Sequence, residues 1–221
     1  MRHIDRLPIP QILIDKHDEW QAKYNQKLAT DSKARPDASK YRHQDIYRQL
    51  NSCSFNKCFY CESKLTGDTR EIDHYIEVAI DHNKAYDWDN LYLSCINCND
   101  KLDHNVIPVT NALDPCTDSD EDIQSCITFE AECICSQPNS VKGRNTIQKF
   151  RLDSDLLDLR RSKWLNKLNK EANIITSRMI DEGRSVPTED EKSTICKFMQ
   201  EDQPYSLMCK IYIKKYLGWA L

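Results

Sequence analysis

The spacing of apolar residues predicts a chain that is mostly helical. Apolar positions recur at helical intervals between residues 11 and 29, between 39 and 50, and again between 155 and 181. A last amphipathic stretch at 205–217 predicts a further helix. Gly183 and Pro187 end the long third segment, because glycine and proline both interrupt helices.

Strand patterns are shorter and fewer. Residues 70–76 and residues 126–135 alternate with period two, and each segment predicts one strand. Residues 90–98 are expected to begin a helix, whereas residues 102–125 are expected to be irregular because they are acidic and cut by prolines. These elements together predict an α+β fold that is predominantly helical.

The pattern also divides the chain into three regions. Residues 1–50 are expected to form an N-terminal helical scaffold, and residues 51–110 a compact central module. Residues 111–221 are expected to hold an acidic loop, a short strand and the C-terminal helices. At 221 residues the chain is long enough for one full core, or for one core with a smaller module beside it.

Composition narrows the class of protein. No apolar run approaches the roughly 18 residues of a membrane span, and the first residues lack the pattern of a signal peptide. We therefore expect a cytoplasmic protein without a membrane partner. The odd count of eleven cysteines then predicts metal ligands and free thiols rather than disulfides.

Charge is distributed unevenly along a chain whose net charge is −4. Residues 114–135 contain seven carboxylates and no lysine or arginine, whereas residues 144–170 contain eight basic residues against three aspartates. The basic segment could present one face to a phosphate backbone. A solvated helix face explains the same segment equally well, and the sequence leaves both interpretations open.

Two Cys-x-x-Cys pairs lie in the central region. Cys58 and Cys61 form the first pair, Cys95 and Cys98 form the second, and 33 residues separate them. Two such pairs can fill the tetrahedral shell of one zinc ion, and four cysteine ligands leave no open position for substrate. The predicted zinc is therefore structural, and the long gap must hold folded chain.

Residues between and just after the cysteine pairs suit hydrolysis of phosphodiester bonds. Asp73 and Asn99 offer the oxygen ligands that Mg²⁺ or Mn²⁺ prefers. His74 titrates near neutrality and could deprotonate a water molecule, while Asn90 could orient the His74 segment. Lys101 is either a phosphate contact or an exposed lysine, and the sequence does not decide between them.

The order of these residues resembles the HNH (ββα-metal) endonuclease family. Residues 87–91, Asp-Trp-Asp-Asn-Leu, and residues 94–101, Ser-Cys-Ile-Asn-Cys-Asn-Asp-Lys, resemble more specifically the PtuB subfamily of Septu and Septu-linked retron anti-phage systems. The resemblance covers about 45 residues. It implies a zinc-stabilised ββα-metal module of treble-clef type, with helices flanking it at both ends.

The resemblance also implies roles for individual residues. Asp73 and Asn99 would bind the catalytic Mg²⁺ or Mn²⁺, His74 would be the general base, and Asn90 would be the orienting residue of the motif. Two features depart from the family pattern. An asparagine, Asn99, stands where the third histidine is usual, and residues 75–79 lack the expected Pro-Lys.

The resemblance implies partners as well. They are a nucleic-acid substrate, which could be DNA or RNA including tRNA, a PtuA-type ATPase, and in retron systems a reverse transcriptase with its RNA–DNA product. Two other functions remain open. One is a zinc module that binds nucleic acid or protein without catalysis, and the other is an HNH nuclease of restriction or homing type that works alone.

Overall fold

A computed structural model describes residues 1–218, with every side chain in that range except that of Asp68. Three helices precede the central region: α1 at Gln11–Thr30, α2 at Ala38–Tyr41 and α3 at Gln44–Ser54. The predicted first helix is confirmed. The predicted second helix is instead two helices, because His43 is extended (φ −58°, ψ 144°) and its side chain accepts from the backbone N–H of Asp45 to begin α3.

The central region contains a two-stranded antiparallel sheet. Strand β1 at Arg70–His74 pairs with β2 at Leu91–Cys95, and Asp73 stands opposite Tyr92. A four-residue helix, α4 at Ile96–Asn99, follows β2 at once. The prediction that residues 90–98 begin a helix is therefore wrong for most of the segment. All five residues of β2 are buried, so the strand shows no alternation between apolar and exposed polar positions.

The acidic region is more ordered than predicted. Helix α5 at Asp120–Cys126 begins with a capping box, in which Ser119 and Asp122 each bond to the other's backbone N–H. The predicted single strand that follows is a hairpin of β3 at Ile127–Glu130 and β4 at Cys133–Ser136. Apolar and polar residues continue to alternate across the turn between the two strands, where Ala131 has a φ of +52°. The sequence pattern therefore does not show that the chain reverses direction there.

Four helices complete the described chain. They are α6 at Val141–Lys149, α7 at Asp155–Asp181, α8 at Glu189–Cys196 and α9 at Ser206–Tyr212. The long α7 and the capping box that begins α8 agree with the sequence prediction. The predicted last helix begins within one residue of α9, although its final part, Ile213–Leu217, is a π-helical turn.

One apolar core joins residues from all parts of the described chain. An aromatic stack crosses its centre: the rings of Tyr60 and Phe150 lie 4.1 Å apart, and those of Tyr75 and Tyr92 lie 4.7 Å apart. Phe150 follows α6, so this stack attaches the C-terminal half of the protein to the β1–β2 sheet. The division into regions 1–50, 51–110 and 111–221 stays a prediction.

The α+β fold is predominantly helical, as the sequence predicts, with two small sheets. Among residues 1–218, no helix has both the length and the apolar character required to cross a lipid bilayer.

Candidate active site

The two cysteine pairs meet beside the β1–β2 sheet. Their four sulfur atoms are buried and lie within 4.8 Å of one another. The Cys61 and Cys95 sulfurs are 3.7 Å apart, whereas a zinc tetrahedron with Zn–S bonds of about 2.3 Å has edges of about 3.8 Å. The dimensions and the donor type therefore fit one zinc ion.

Local structure explains how each pair forms. The Cys58 N–H donates to the Ser63 carbonyl at 2.9 Å, and the Glu62 N–H donates back to the Cys58 carbonyl at 3.0 Å, which closes a tight loop around Cys61. Cys95 ends β2 and Cys98 lies in α4, so the second pair spans the junction between strand and helix. Burial raises the pKa of the Cys58 and Cys98 thiols, and a bound cation would supply the charge that stabilises their thiolates.

The other seven cysteines are free thiols. Among the described side chains, the Cys58–Cys98 cluster is the one group of three or more histidines, cysteines or carboxylates close enough to bind a metal. The four cysteines are therefore brought together as the sequence predicts, and their role as structural zinc ligands stays a prediction.

Asp73 lies in β1 and is only 7% exposed. Its Oδ2 accepts two hydrogen bonds, from the Tyr60 hydroxyl at 2.7 Å and from the Lys101 ammonium at 2.9 Å. Burial raises the pKa of Tyr60, and the adjacent Asp73 raises it further, so the phenol stays a donor. Because both contacts use Oδ2, Oδ1 remains for a metal ion.

Lys101 is not the exposed lysine that the sequence allows, and its contact with a phosphate stays a prediction. Its side chain is only 7% exposed, and its ammonium also donates to the backbone carbonyls of His74 at 2.5 Å and Tyr75 at 3.0 Å. The residue therefore fixes the end of β1 to the chain that leaves α4. A positive charge at this position also balances the buried Asp73 carboxylate.

His74 is the last residue of β1, and one hydrogen bond defines which of its two ring nitrogens carries the proton. Its Nε2 lies 2.8 Å from the carbonyl oxygen of Ala85, and a carbonyl can only accept. Nε2 therefore carries the proton, and Nδ1 of the neutral ring is the free base. Burial lowers the pKa of His74, which favours this neutral form, and the Tyr41 ring holds the imidazole edge-to-face at 4.7 Å.

Asn90 is 2% exposed and makes three hydrogen bonds to backbone. Its Oδ1 accepts from the Ile76 N–H at 2.7 Å, while its Nδ2 donates to the carbonyls of Ile76 and Lys84 at 3.0 Å each. Lys84 precedes Ala85, whose carbonyl accepts from His74. Asn90 thus holds the loop that holds the His74 ring.

Asn99 lies at the end of α4 and is half-exposed. Two residues further on, Lys101 contacts Asp73, so the end of α4 lies against the end of β1. The oxygens available here, a carboxylate from Asp73 and an amide from Asn99, are of the type that binds Mg²⁺ or Mn²⁺. The functional roles of Asp73, His74, Asn90 and Asn99 stay predictions.

Residues 75–79, where a Pro-Lys is missing, make a different contact. Glu77 accepts from the fully buried Lys149 at 2.6 Å, and the same ammonium donates to the Leu102 carbonyl at 2.6 Å. The chain after His74 is therefore anchored by an ion pair to α6. Lys149 consequently does not belong to the basic face that residues 144–170 suggest.

Three residues support this site without any signal in the sequence. Tyr60 lies inside the first cysteine pair, Tyr41 lies in α2, and Arg6 precedes α1. Arg6 donates to the carbonyls of Trp88 and Leu91 at 2.9 and 3.1 Å and lies 4.5 Å from the Tyr92 ring centroid. Each of the three contacts residues that are distant from it in the sequence, so no local sequence motif predicts its role.

Comparisons with known proteins indicate the family of the central region. Residues 58–105 match the model of the HNH endonuclease family. The chain is also 26% identical over 106 residues to the Septu protein PtuB of Bacillus thuringiensis. That alignment covers 47% of this chain and 39% of the relative, so the chain spans well under half of the protein it matches.

The matched segment contains both cysteine pairs, β1, β2 and α4, together with Asp73, His74, Asn90 and Asn99. Residues 58–105 of this chain are therefore an HNH endonuclease domain, within a chain that is similar to PtuB over about half of its length.

Proposed function

We propose that this protein is a metal-dependent endonuclease that hydrolyses phosphodiester bonds in nucleic acid as the effector of an anti-phage defence system. One observation supports the chemistry above all others. His74 carries an unprotonated Nδ1 at the end of β1, it follows Asp73 directly in the chain, and the Lys101–Asp73 contact brings the end of α4 that carries Asn99 to the same end of β1.

His74 is the proposed general base. Its Nε2 proton is held by the Ala85 carbonyl, so the ring accepts the proton of the attacking water at Nδ1. The Tyr41 ring and the Asn90 loop fix the orientation of the imidazole. The lowered pKa of His74 keeps the base unprotonated at neutral pH.

Asp73, through Oδ1, and Asn99 are the proposed ligands of Mg²⁺ or Mn²⁺. When bound, this metal would stabilise the negative charge that develops on the phosphate and on the leaving oxygen. Tyr60 and Lys101 orient the Asp73 carboxylate by their contacts with Oδ2. Zinc at Cys58, Cys61, Cys95 and Cys98 would keep the ends of the domain together.

The defence role rests on the similarity to PtuB. We propose that a PtuA-type ATPase controls the nuclease, and that a retron reverse transcriptase with its RNA–DNA product takes part if the protein belongs to a retron system. The substrate is DNA or RNA, including tRNA. We propose a cytoplasmic location, where both partners and substrate would be met.

Cleavage by the His74→Ala variant tests this function. The complex of the full chain with its ATPase partner is incubated with Mg²⁺ or Mn²⁺ and with separate pools of DNA and RNA. We expect cleavage of at least one pool by the wild-type complex, and a loss of about 10²–10⁴-fold in the variant. Undiminished cleavage by the variant would refute the role of His74.

Metal analysis together with the cleavage assay separates the enzyme from a non-catalytic zinc module, because both would bind zinc and only the enzyme would cut nucleic acid. A wild-type complex that binds one zinc, binds nucleic acid and cuts neither pool under any divalent metal would support the binding module instead. Activity of the isolated chain without a partner would favour an HNH nuclease that works alone.

A further inference from the structure

Helix α7 carries an exposed basic face that the catalytic site does not use. Lys163, Lys167, Lys170 and Arg178 are exposed and Arg160 is half-exposed, while the buried residues of the helix lie on its other side and Leu156 and Ile174 are exposed among the cations. With 100° of rotation per residue, these five cations fall within an arc of about 80°. We call them the α7 basic stripe.

The charges of the stripe have no carboxylate partners. Within residues 1–218, no ion pair of 4.0 Å or less involves any residue of the stripe, although Glu171 lies four residues after Lys167 on the same helix. Exposed lysines on α1 behave differently, since Lys16 and Lys23 contact Glu19 at 2.9 and 2.6 Å. The lysines of the α7 basic stripe, unlike those of α1, are therefore not neutralised by ion pairs with carboxylates of their own helix.

The stripe borders a groove of about 700 Å³ between α7 and the chain that follows α8. Its lining includes Trp164, Lys167, Lys170, Lys197 and Phe198, with one carboxylate, Glu171, against three lysines. The Lys167 ammonium lies 4.8 Å from the centre of the half-buried Trp164 ring, and the Phe198 ring packs edge-on against the same tryptophan. Lysines beside an aromatic surface are typical of grooves that bind phosphates and bases together.

Helix α7 begins at the catalytic domain. The hydroxyl of Ser154, the residue before α7, donates to Asn97 Oδ1 at 3.0 Å, and Asn97 lies in α4 two residues before Asn99. With a rise of 1.5 Å per residue, Arg160 lies about 9 Å and Lys170 about 24 Å along the axis from that contact. The longer distance equals the length of about seven base pairs.

We propose that the α7 basic stripe, with Lys197 across the groove, binds the phosphate backbone of the nucleic-acid substrate outside the cleavage site. The inference rests on the proposed nuclease function, and it adds the path that the substrate follows across the protein surface. The protein as a whole is acidic, with a net charge of −4, so affinity for a polyanion requires a local basic surface. The contacts are to phosphates, so the stripe contributes affinity without base specificity.

The test compares two variants with the same change in charge. The first carries Lys163→Gln, Lys167→Gln and Lys170→Gln, and glutamine preserves helix propensity. The second removes three exposed lysines from α1 by the same substitution at residues 16, 23 and 27. Both are made in full-length protein with and without His74→Ala, and circular dichroism and zinc content confirm folding.

Binding is measured by fluorescence anisotropy in the His74→Ala background. The probes are a 30-nucleotide single-stranded DNA, its duplex and the RNA of the same sequence, each at several salt concentrations. We expect the α7 variant to raise the Kd at least about tenfold and to reduce the slope of log Kd against log salt by about 2–3, because each phosphate contact contributes about 0.7–0.9. The α1 variant should change neither.

Cleavage adds a second readout in the wild-type background. The α7 variant should lose kcat/KM on substrates that extend beyond about seven base pairs from the cut, yet hydrolyse bis(p-nitrophenyl) phosphate at the wild-type rate. Equal nucleic-acid affinity and salt slope in the α7 and α1 variants would overturn the proposal. Loss of ATPase binding with those two quantities unchanged would also overturn it and assign the stripe to a protein partner.

These outcomes are distinct from a failure of the proposed function. If the wild type and the α7 variant cut long nucleic acid equally well, the proposed function stands and only the role of the α7 basic stripe is refuted. A wild-type protein that neither binds nor cuts any probe would contradict the function itself.

Discussion

Asn90 offers the sharpest test of how the loop supports the general base. Its amide makes three hydrogen bonds to buried backbone, at 2.7, 3.0 and 3.0 Å, and alanine removes all of them. A hydrogen bond of this kind contributes about 0.5–1.5 kcal/mol. Asn90→Ala should therefore lower the free energy of unfolding by about 2–4 kcal/mol.

Asn90→Asp is the matched variant. The aspartate keeps one oxygen to accept from the Ile76 N–H, but it places a second, negative oxygen where Nδ2 donates to the carbonyls of Ile76 and Lys84. Repulsion then replaces two attractive contacts in a buried position. We expect Asn90→Asp to be at least as destabilising as Asn90→Ala, although it is nearly isosteric with asparagine.

Both variants should also impair catalysis, because the Lys84 carbonyl that Asn90 holds lies one residue before the Ala85 carbonyl that orients His74. A displacement of about 1 Å at a catalytic group can cost about 10²-fold in rate. Urea unfolding gives the stability, and cleavage is measured at a temperature where each variant is folded. An Asn90→Asp protein with wild-type stability and activity would refute this reasoning.

Three further predictions concern buried charge and metal. Cys98→Ser should abolish zinc binding, as measured by plasma emission spectroscopy, and a chelator should unfold the wild-type HNH domain in circular dichroism. Lys101→Met should lower the free energy of unfolding by about 3–5 kcal/mol in metal-free buffer, because Asp73 loses its cationic partner at 2.9 Å. Mn²⁺ should raise the melting temperature of the Lys101→Met variant more than that of the wild type. Lys149→Met should lower the free energy of unfolding by about 3–5 kcal/mol, because Glu77 loses its cationic partner, and adding Glu77→Gln should recover part of that loss. A double variant that is less stable than Lys149→Met alone would contradict the importance of this ion pair.

Sequence patterns predicted the long helices well. The residues of α1 and α7 alternate between buried and exposed positions at helical spacing, and local signals such as the Thr188–Glu191 capping box define where α8 begins. The pattern failed at β2, because a strand buried on both faces has no alternation to distinguish it from a buried helix. It also missed the turn of the β3–β4 hairpin, since no glycine or proline marks Ala131.

Charge was the property that the sequence described least well. Lys149 and Arg161 both belong to the basic segment of the sequence, yet their side chains are 0% and 1% exposed and each contacts a carboxylate. Only the packing of α6 and α7 decides which of the eight basic residues face solvent. With Arg161 excluded, the other four basic residues of this segment that lie in α7, Arg160, Lys163, Lys167 and Lys170, belong to the α7 basic stripe, together with Arg178 further along the helix.

The sequence alone determined the chemistry available to this protein, because ligand types and their spacing are local properties. Two cysteine pairs, an Asp-His pair and two asparagines predict a zinc-supported nuclease without any coordinates. The tertiary structure decided how those groups are held: Lys101 and Tyr60 on Asp73, Tyr41 and the Ala85 carbonyl on His74. These partners lie between 11 and 33 residues away along the chain, and only folding brings their atoms within contact distance.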